Sequence, residues 1–292
     1  MNTVISELTV LVPTRDEADS VSPLLSRLLM ACPELHMEIL FVDDSSDATP
    51  RVITELAERS SRRVRLIHRP PDQRDGGLGG AVVAGLTMAR SPWVCVMDAD
   101  LQHPPELLDA LVDEARKSKA DVVVASRYCP GGDTGHFPPL RRALSRSSAW
   151  FARALFPGRL RGISDPMSGF FLVRRAAVDV SVLRPRGFKI LLEILLSGAQ
   201  LASSEVGYRF GARHGGESKA SVLEGVRYVR RMIELRAGHR RVKPAGPPAA
   251  AERHVTTSVG PVPRSAAQPQ PAASVLSDGI REQLVTYLRE AP

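Results

Sequence analysis

Hydrophobic positions along the chain fall into short unbroken runs separated by stretches with helical spacing. Residues 8–12 (LTVLV), 38–42, 64–68, 93–97 and 121–125 (DVVVA) are rich in branched and large apolar side chains and too short for helices. Runs of this kind, without polar alternation, mark strands covered on both faces. Val21, Leu24, Leu25, Leu28 and Leu29 recur at helical spacing after the first run. Thr49 with Pro50, and Pro104 and Pro105 with Glu106, carry helix-start signals after the second and fourth runs. Strand, helix, strand, helix, strand predicts a parallel sheet with right-handed crossovers. Pro13 is expected to end the first strand.

The second half of the chain is less regular. Residues 140–161 are helical and interleave Arg141, Arg142, Arg146, Arg153, Arg159 and Arg161 with Leu144, Trp150, Phe151, Leu155 and Phe156. Such a helix either lies on an anionic membrane surface or packs its apolar face into the core with its arginines solvated. A strand follows at 170–173, then an apolar helix at 187–196 in which Lys189 and Glu193 stand at i and i+4, spaced for an ion pair. Residues 200–210 read as an edge strand, and 221–236 as a last helix with Val222, Val226, Val229, Met232 and Ile233 inside. Composition shifts at Val242. The expected organisation is therefore a domain over 1–241, a disordered Pro/Ala-rich linker over 242–277 and a short amphipathic helix over 278–292.

Polar chemistry gathers where the strands end. In open α/β sheets ligands sit outside the carboxyl ends of strands. The run ending at Met97 leads straight into Asp98, Ala99, Asp100, Leu101, Gln102 and His103. Two acids one residue apart need a cation to offset their desolvation; one can ligate a divalent ion while the other reaches a sugar or ribose hydroxyl. Gln102 and His103 add an amide oxygen and an imidazole. Asp43 and Asp44 end the second strand, and Arg15, Asp16 and Glu17 follow the first. Asp165, in SDPMSGFF, sits at a strand edge, where it caps a turn or orients a base. DGGLGG over 75–80 and RHGGESK over 213–219 are each either a phosphate contact or a plain turn.

Composition narrows the class. An apolar content of 43% suits a globular core, and no apolar run reaches the roughly 18 residues of a membrane span. The N-terminal stretch has no basic n-region, so a cytoplasmic protein is expected. Cys32, Cys95 and Cys129 lack ligand spacing and read as reduced, buried hydrophobes. A net charge of +7 favours anionic partners. Nucleic acid is set aside for want of a recognisable motif or stacking aromatics.

PTRDE, FVDDSSDAT, GLGGAVVAG, VMDADLQHPP, SRY, DPMSGFF, GFKILLEIL and RHGGESK, in this order and spacing, resemble the family 2 inverting glycosyltransferases of GT-A fold. Among these the chain is most similar to the dolichol- or polyprenol-phosphate mannosyltransferases. The resemblance implies a Rossmann-like, mostly parallel sheet flanked by helices. It implies that Pro13, Arg15, Glu17, Val42 and Asp44 line the nucleotide, that Asp98 and Ala99 touch nucleotide or sugar, and that Asp100 and Gln102 hold Mg²⁺ or Mn²⁺. Arg127, with Arg141 or Arg142, then faces the phosphates of donor or lipid acceptor, and Arg213 and Lys219 close over the diphosphate. Arg15-Asp16 stands where the family commonly has Tyr-Asn, so a guanidinium replaces the expected stacking ring. The implied activity is transfer of mannose from GDP-mannose to a polyprenyl phosphate at the inner membrane face, by direct contact or through a membrane-spanning partner. A UDP-sugar transferase of the same fold and a non-catalytic nucleotide-binding protein are the alternatives.

Overall fold

The computed structural model describes residues 7–60, 64–135, 137–185, 189–211 and Arg236. The expected linker and terminal helix over 242–292, the helix over 221–236 apart from Arg236, and the 213–219 loop lie outside the described residues. The elements run β1 (Leu8–Thr14), α1 (Ala18–Ala31), β2 (Met37–Asp43), α2 (Thr49–Arg59), β3 (Val64–His68), α3 (Gly77–Met88), β4 (Trp93–Val96) and α4 (Leu108–Ser118). They continue through β5 (Val122–Ser126), α5 (Pro139–Leu155), β6 (Phe171–Arg174), α6 (Ile190–Leu196) and β7 (Ser203–Gly207). One 7-stranded sheet has the order β3-β2-β1-β4-β6-β5-β7, with β7 at an edge as its polar content suggests.

The apolar runs are strands because both faces of the sheet are covered. Val10, Val12, Ile39 and Phe41 point to a cluster with Leu24 and Leu28 of α1, Ile53 of α2 and Leu111 of α4. Leu11, Leu40 and Val96 point the other way, to Val82 and Leu86 of α3 and Leu191 and Leu195 of α6. Burying such side chains stabilises the fold by about 1.5–3 kcal/mol each. Cys32 and Cys95 are buried in the first cluster and Cys129 is half-buried. Burial pushes the Cys32 thiol up to about 11, so it stays protonated.

One expectation is corrected. Pro13 does not end β1, which continues to Thr14 with Pro13 opposite Val42. Leu11 O accepts the Met97 N–H, so Pro13, two residues on, faces the same side, past the last β4 pairing at Val96. No donor is needed there, which is where a strand tolerates proline. The sheet is mostly parallel, as the resemblance implies, and β6 runs antiparallel between β4 and β5. Its first residue, Phe171, lies opposite Val96 and Val124, so the loop entering β6 lies at the carboxyl ends of the parallel strands. Glu193 of α6 lies in the interior, and its Oε1 accepts the Arg184 N–H.

Candidate active site

The ends of β1, β2 and β3 form a densely bonded ledge. Asp43 is fully buried and accepts from Thr14 Oγ1 at 2.8 Å, from the Ser45 hydroxyl, and from His68 Nδ1 at 2.7 Å. Asp44 receives a fork from Arg69, Nε at 2.7 Å and Nη2 at 2.5 Å, with both side chains under one-tenth exposed. Arg69 also reaches the carbonyls of Asp75 and Gly77, tying the acid to the start of α3. Arg74 donates to Arg69 O and Ser45 O. Asp16 has φ +56, a conformation that Asp and Asn tolerate better than most residues. Its N–H donates to Ser45 Oγ and its Oδ1 accepts from Ser46 N. Asp in place of the family's Asn thus keeps the turn.

The predicted nucleotide residues therefore come together here, with different surfaces on offer. Arg15 is exposed, and Glu17 anchors α1 to Thr49 Oγ1 through its N–H. Pro13 is buried within β1, and Val42 is wholly buried within β2, paired with Pro13 and Ile67, with its side chain packed in the core with Leu40. Sequence reasoning missed Arg69. Its position directly after His68 was the available signal, since β2–β3 register pairs Asp43 with His68 and so places Arg69 beside Asp44.

After β4 the chain makes a tight turn. Leu101 has φ +62, which a branched side chain adopts at a cost of about 1–2 kcal/mol. The left-handed residue brings Gln102 N within 3.1 Å of Asp100 Oδ1. The turn is clamped from outside as well: Gly211 N donates to Gln102 O at 2.9 Å, and Gln102 Nε2 donates to Gly211 O at 3.2 Å. A Cβ on Gly211 would stand 3.2 Å from Gln102 O, so glycine permits this approach. With its NH₂ committed to Gly211, Gln102 keeps Oε1 as its side-chain acceptor. Ala99 is fully buried and Asp98 partly exposed.

His103 is not part of that donor set. Its ring is 2% exposed, stacks on Phe170 at 5.1 Å, and accepts the Asp98 N–H on Nδ1 at 3.0 Å. Burial pushes its pKa down to about 4, so it is neutral at ordinary pH. The turn's remaining candidates are all oxygens, a set that suits a hard divalent ion. Among the described residues there is no group of three His, Cys, Asp or Glu placed to hold a metal ion.

Arg127 and Asp165 face this turn's strand from the far side of β6. Arg127 donates Nε to Asp165 Oδ2 at 2.7 Å and Nη2 to Oδ1 at 2.9 Å, with Asp165 fully buried. Glu205 of β7 fixes the acid by accepting the N–H groups of Ser164 and Asp165. Burial opposes the charge on Arg127, but the hydrogen bond and charge of Asp165 raise its pKa above the usual arginine value. Asp165 is thus neither a turn cap nor the orienter of a base; it holds a guanidinium.

That guanidinium lies 5.5–5.9 Å from the rings of Tyr128, Phe210 and Phe137. Arg141 stacks over Phe137 at 4.2 Å and Arg146 over Tyr128 at 5.7 Å. A basic edge therefore surrounds two aromatic rings where α5 begins. The apolar residues of α5 divide differently from expectation. Phe156 is buried, and Phe151 and Leu155 pack on the sheet. Leu140, Leu144 and Trp150 are 72%, 60% and 63% exposed. Arg213 and Lys219 lie outside the described residues.

The sequence profile described as glycosyl transferase family 2 matches residues 9–181. The chain is 38% identical over 232 residues to a dolichol-phosphate mannosyltransferase of Pyrococcus furiosus, covering 78% of this chain and 64% of that one. It is 34% identical to the Saccharomyces cerevisiae dolichol-phosphate mannosyltransferase, covering 78% and 86%. Identity is also 34% to a polyprenol monophosphomannose synthase of Mycolicibacterium smegmatis, over 73% and 80%. Among solved structures, mannosyl-3-phosphoglycerate synthase from Rubrobacter xylanophilus superposes with a TM-score of 0.60 at 20% identity, covering 81% and 74%. Glucosyl-3-phosphoglycerate synthase from Mycobacterium tuberculosis, in complex with Mn²⁺, UDP and glucosyl-3-phosphoglycerate, superposes with a TM-score of 0.58 at 15% identity, covering 82% of each chain. These likenesses share the GT-A fold.

Proposed function

The chain belongs to glycosyl transferase family 2, and on that premise we propose that it transfers mannose, with inversion, from GDP-mannose to a polyprenyl phosphate. One observation carries the reading: an oxygen-rich turn (Asp98, Asp100, Gln102) and a basic, aromatic edge (Arg127, Arg141, Arg146) stand at the same end of one sheet. The turn suits a divalent ion on the donor diphosphate. The edge suits an anionic acceptor. The names of the Pyrococcus, Saccharomyces and Mycolicibacterium relatives support the sugar and the lipid.

Asp100 and Gln102 are the residues we assign to Mg²⁺ or Mn²⁺, which when bound supplies positive charge to the leaving diphosphate. The ion in the mycobacterial glucosyl enzyme supports that assignment. Asp98 and the Ala99 main chain meet nucleotide or sugar, and Arg213 and Lys219 are the cations assigned to the diphosphate. A phosphate acceptor is already ionised at neutral pH and needs no general base. It needs cations that hold it without bonding so tightly that the attacking oxygen is quenched. Arg127, half committed to Asp165, and Arg141, stacked on Phe137, meet that requirement.

Among the described residues no helix is long and apolar enough to cross a membrane. We assign contact with the inner leaflet to α5, whose exposed Leu140, Leu144 and Trp150 alternate with Arg141, Arg146 and Arg153. Each basic residue close to an anionic leaflet contributes about 1 kcal/mol. Co-sedimentation with anionic vesicles, weakened by salt and by Arg146→Glu with Arg153→Glu, is expected. No binding at low salt would leave recruitment to a membrane-spanning partner.

The activity test supplies radiolabelled GDP-mannose, UDP-glucose and UDP-GlcNAc separately, each with polyprenyl phosphate and Mg²⁺. Label entering the organic phase from GDP-mannose alone is the expected result. Transfer from a UDP-sugar overturns the donor assignment, and binding of nucleotide without any transfer overturns catalysis.

A further inference from the structure

Asp98 owes its placement to one ring. Its N–H donates to His103 Nδ1 at 3.0 Å. A nitrogen that accepts from an amide carries no proton, so the proton of the neutral imidazole sits on Nε2. That nitrogen is 3.8 Å from Asp98 Oδ2. One ring therefore holds the main chain of Asp98 on one side and turns an N–H toward its carboxylate on the other.

The ring has little room to move. Phe170 stacks on it with an interplanar angle of 22°, and Tyr208 and Phe210 meet it edge-on at 6.1 and 5.8 Å. Only 2% of its surface is exposed. Gly169 completes the fit: a Cβ there would stand 3.1 Å from Asp98 Oδ2 and 3.3 Å from His103 Cε1. The parts come from separate pieces of chain, namely the turn after β4, the approach to β6 and the residues following β7. An imidazole enclosed in this way cannot ligate an ion or exchange a proton with substrate. It can fix a neighbour.

We propose that His103 is a positioning residue: its Nδ1 and its wall of aromatic rings set the Asp98 carboxylate at the height where it meets the donor, and Gly169 leaves the space in which that carboxylate lies. This rests on the assignment of Asp98 to the donor under the proposed function. The ring acts as a fixed hydrogen-bond acceptor. Without the acceptor, the Asp98 N–H loses its 3.0 Å bond to the ring, and the turn relaxes. Small displacements of a group that contacts substrate lower turnover far more than they lower stability.

Two substitutions separate the acceptor from the packing. His103→Asn keeps an oxygen near the place of Nδ1 and loses the ring. His103→Phe keeps the ring and loses the acceptor. Imidazole ¹⁵N shifts of the wild-type protein are expected to show a bare Nδ1 and a protonated Nε2; the opposite tautomer overturns the proposal whatever the variants do. Hydrogen exchange of the Asp98 amide is expected to quicken about tenfold or more in the Phe variant, with protection of β1 and β2 unchanged and the Asn variant close to wild type. With GDP-mannose, kcat/KM is expected to fall about 10- to 100-fold in the Phe variant and to recover most of that in the Asn variant. Equal loss in both variants, or a Phe variant within twofold of wild type, rejects positioning in favour of plain packing. If the wild-type protein transfers no mannose, the donor assignment has failed, while the tautomer and exchange measurements still decide whether His103 holds Asp98.

Discussion

Asp43 and Asp44 end β2, Asp98 and Asp100 follow β4, and β1 lies between the two strands. The two acid pairs thus share one edge of one sheet and could be mistaken for equivalents. They are built in opposite ways. The first is answered by side chains of the protein itself: His68, Thr14 and Ser45 on Asp43, and the Arg69 fork on Asp44. The second is held through N–H groups: Gln102 N on Asp100, and on the Asp98 side its own main chain, pinned by a neutral His103. A carboxylate that the fold itself neutralises is scaffold. Asp98 and Asp100 are the pair that the proposed function assigns to the donor and its ion.

The largest expected effect breaks the scaffold pair. Arg69→Ala leaves Asp44 buried without its partner, which costs about 3–5 kcal/mol in comparable ion pairs. Urea denaturation measures the loss, and a second change, Asp44→Asn, is expected to restore part of it. A loss below about 1 kcal/mol would show that water reaches Asp44 and that the contrast is overdrawn.

Breaking the other pair should spare the fold. Asp100→Asn alters charge with little change of shape, so stability is expected to hold within about 1 kcal/mol while kcat falls about 100-fold. Normal turnover at low Mg²⁺ would place the acceptor of the ion elsewhere. A smaller effect belongs to the basic edge. Arg141→Ala removes one exposed cation over Phe137, worth about 1 kcal/mol, or roughly fivefold in KM for the lipid phosphate, with kcat nearly unchanged. A change in kcat without KM would move Arg141 from acceptor binding to the reaction itself.

The smallest expected effect tests a further acid of the scaffold side. Asp47 accepts from Thr49 N and Oγ1 at the start of α2. Slight burial acts to raise its pKa, but these hydrogen bonds outweigh it and lower the value from the ordinary 3.8. A lowered carboxylate pKa contributes stability above the unfolded value and loses it as pH falls through the folded one. Asp47→Ala is therefore expected to cost at most about 1 kcal/mol near neutrality, with wild type and variant converging below about pH 4.

What the chain's pattern reveals is uneven for physical reasons. The apolar runs at 8–12, 38–42 and 93–97 are legible because two-sided burial demands them, and acids at their ends follow from the same sheet. Strand direction is not encoded locally, so the antiparallel β6 was hidden. Pairing between distant residues was hidden too. Arg69 meets Asp44 across 25 positions and Arg127 meets Asp165 across 38, and only the strand register, as with Asp43 opposite His68, brings such partners together. His103 shows the limit most plainly. Its spacing from Asp98 and Asp100 suits a ligand, and the aromatic rings that turn it inward come from Phe170, Tyr208 and Phe210. Likewise the helical pattern of α5 is correct, yet only its packing partners decide that Phe156 is buried while Leu140 and Leu144 are not.

β6 is 4 residues long, and it is the seam of the sheet. Before Phe171–Arg174 is in place, β5 has no neighbour on its inner side, and β7 is attached to β5 alone. Both halves of the candidate site also meet there, since Asp165 and Gly169 precede β6, the first bonded to Arg127 and the second beside Asp98. The strands from β1 to β4 precede β6 in the chain, whereas the pairing of Arg127 with Asp165 waits for this late, short insert. A chain stalled before residue 174 would also lack Tyr208 and Phe210 around His103 and Gly211 on Gln102, so neither side of that end would be complete. Amide exchange should report this order, with β5, β6 and β7 opening together as one unit and β1 and β2 last.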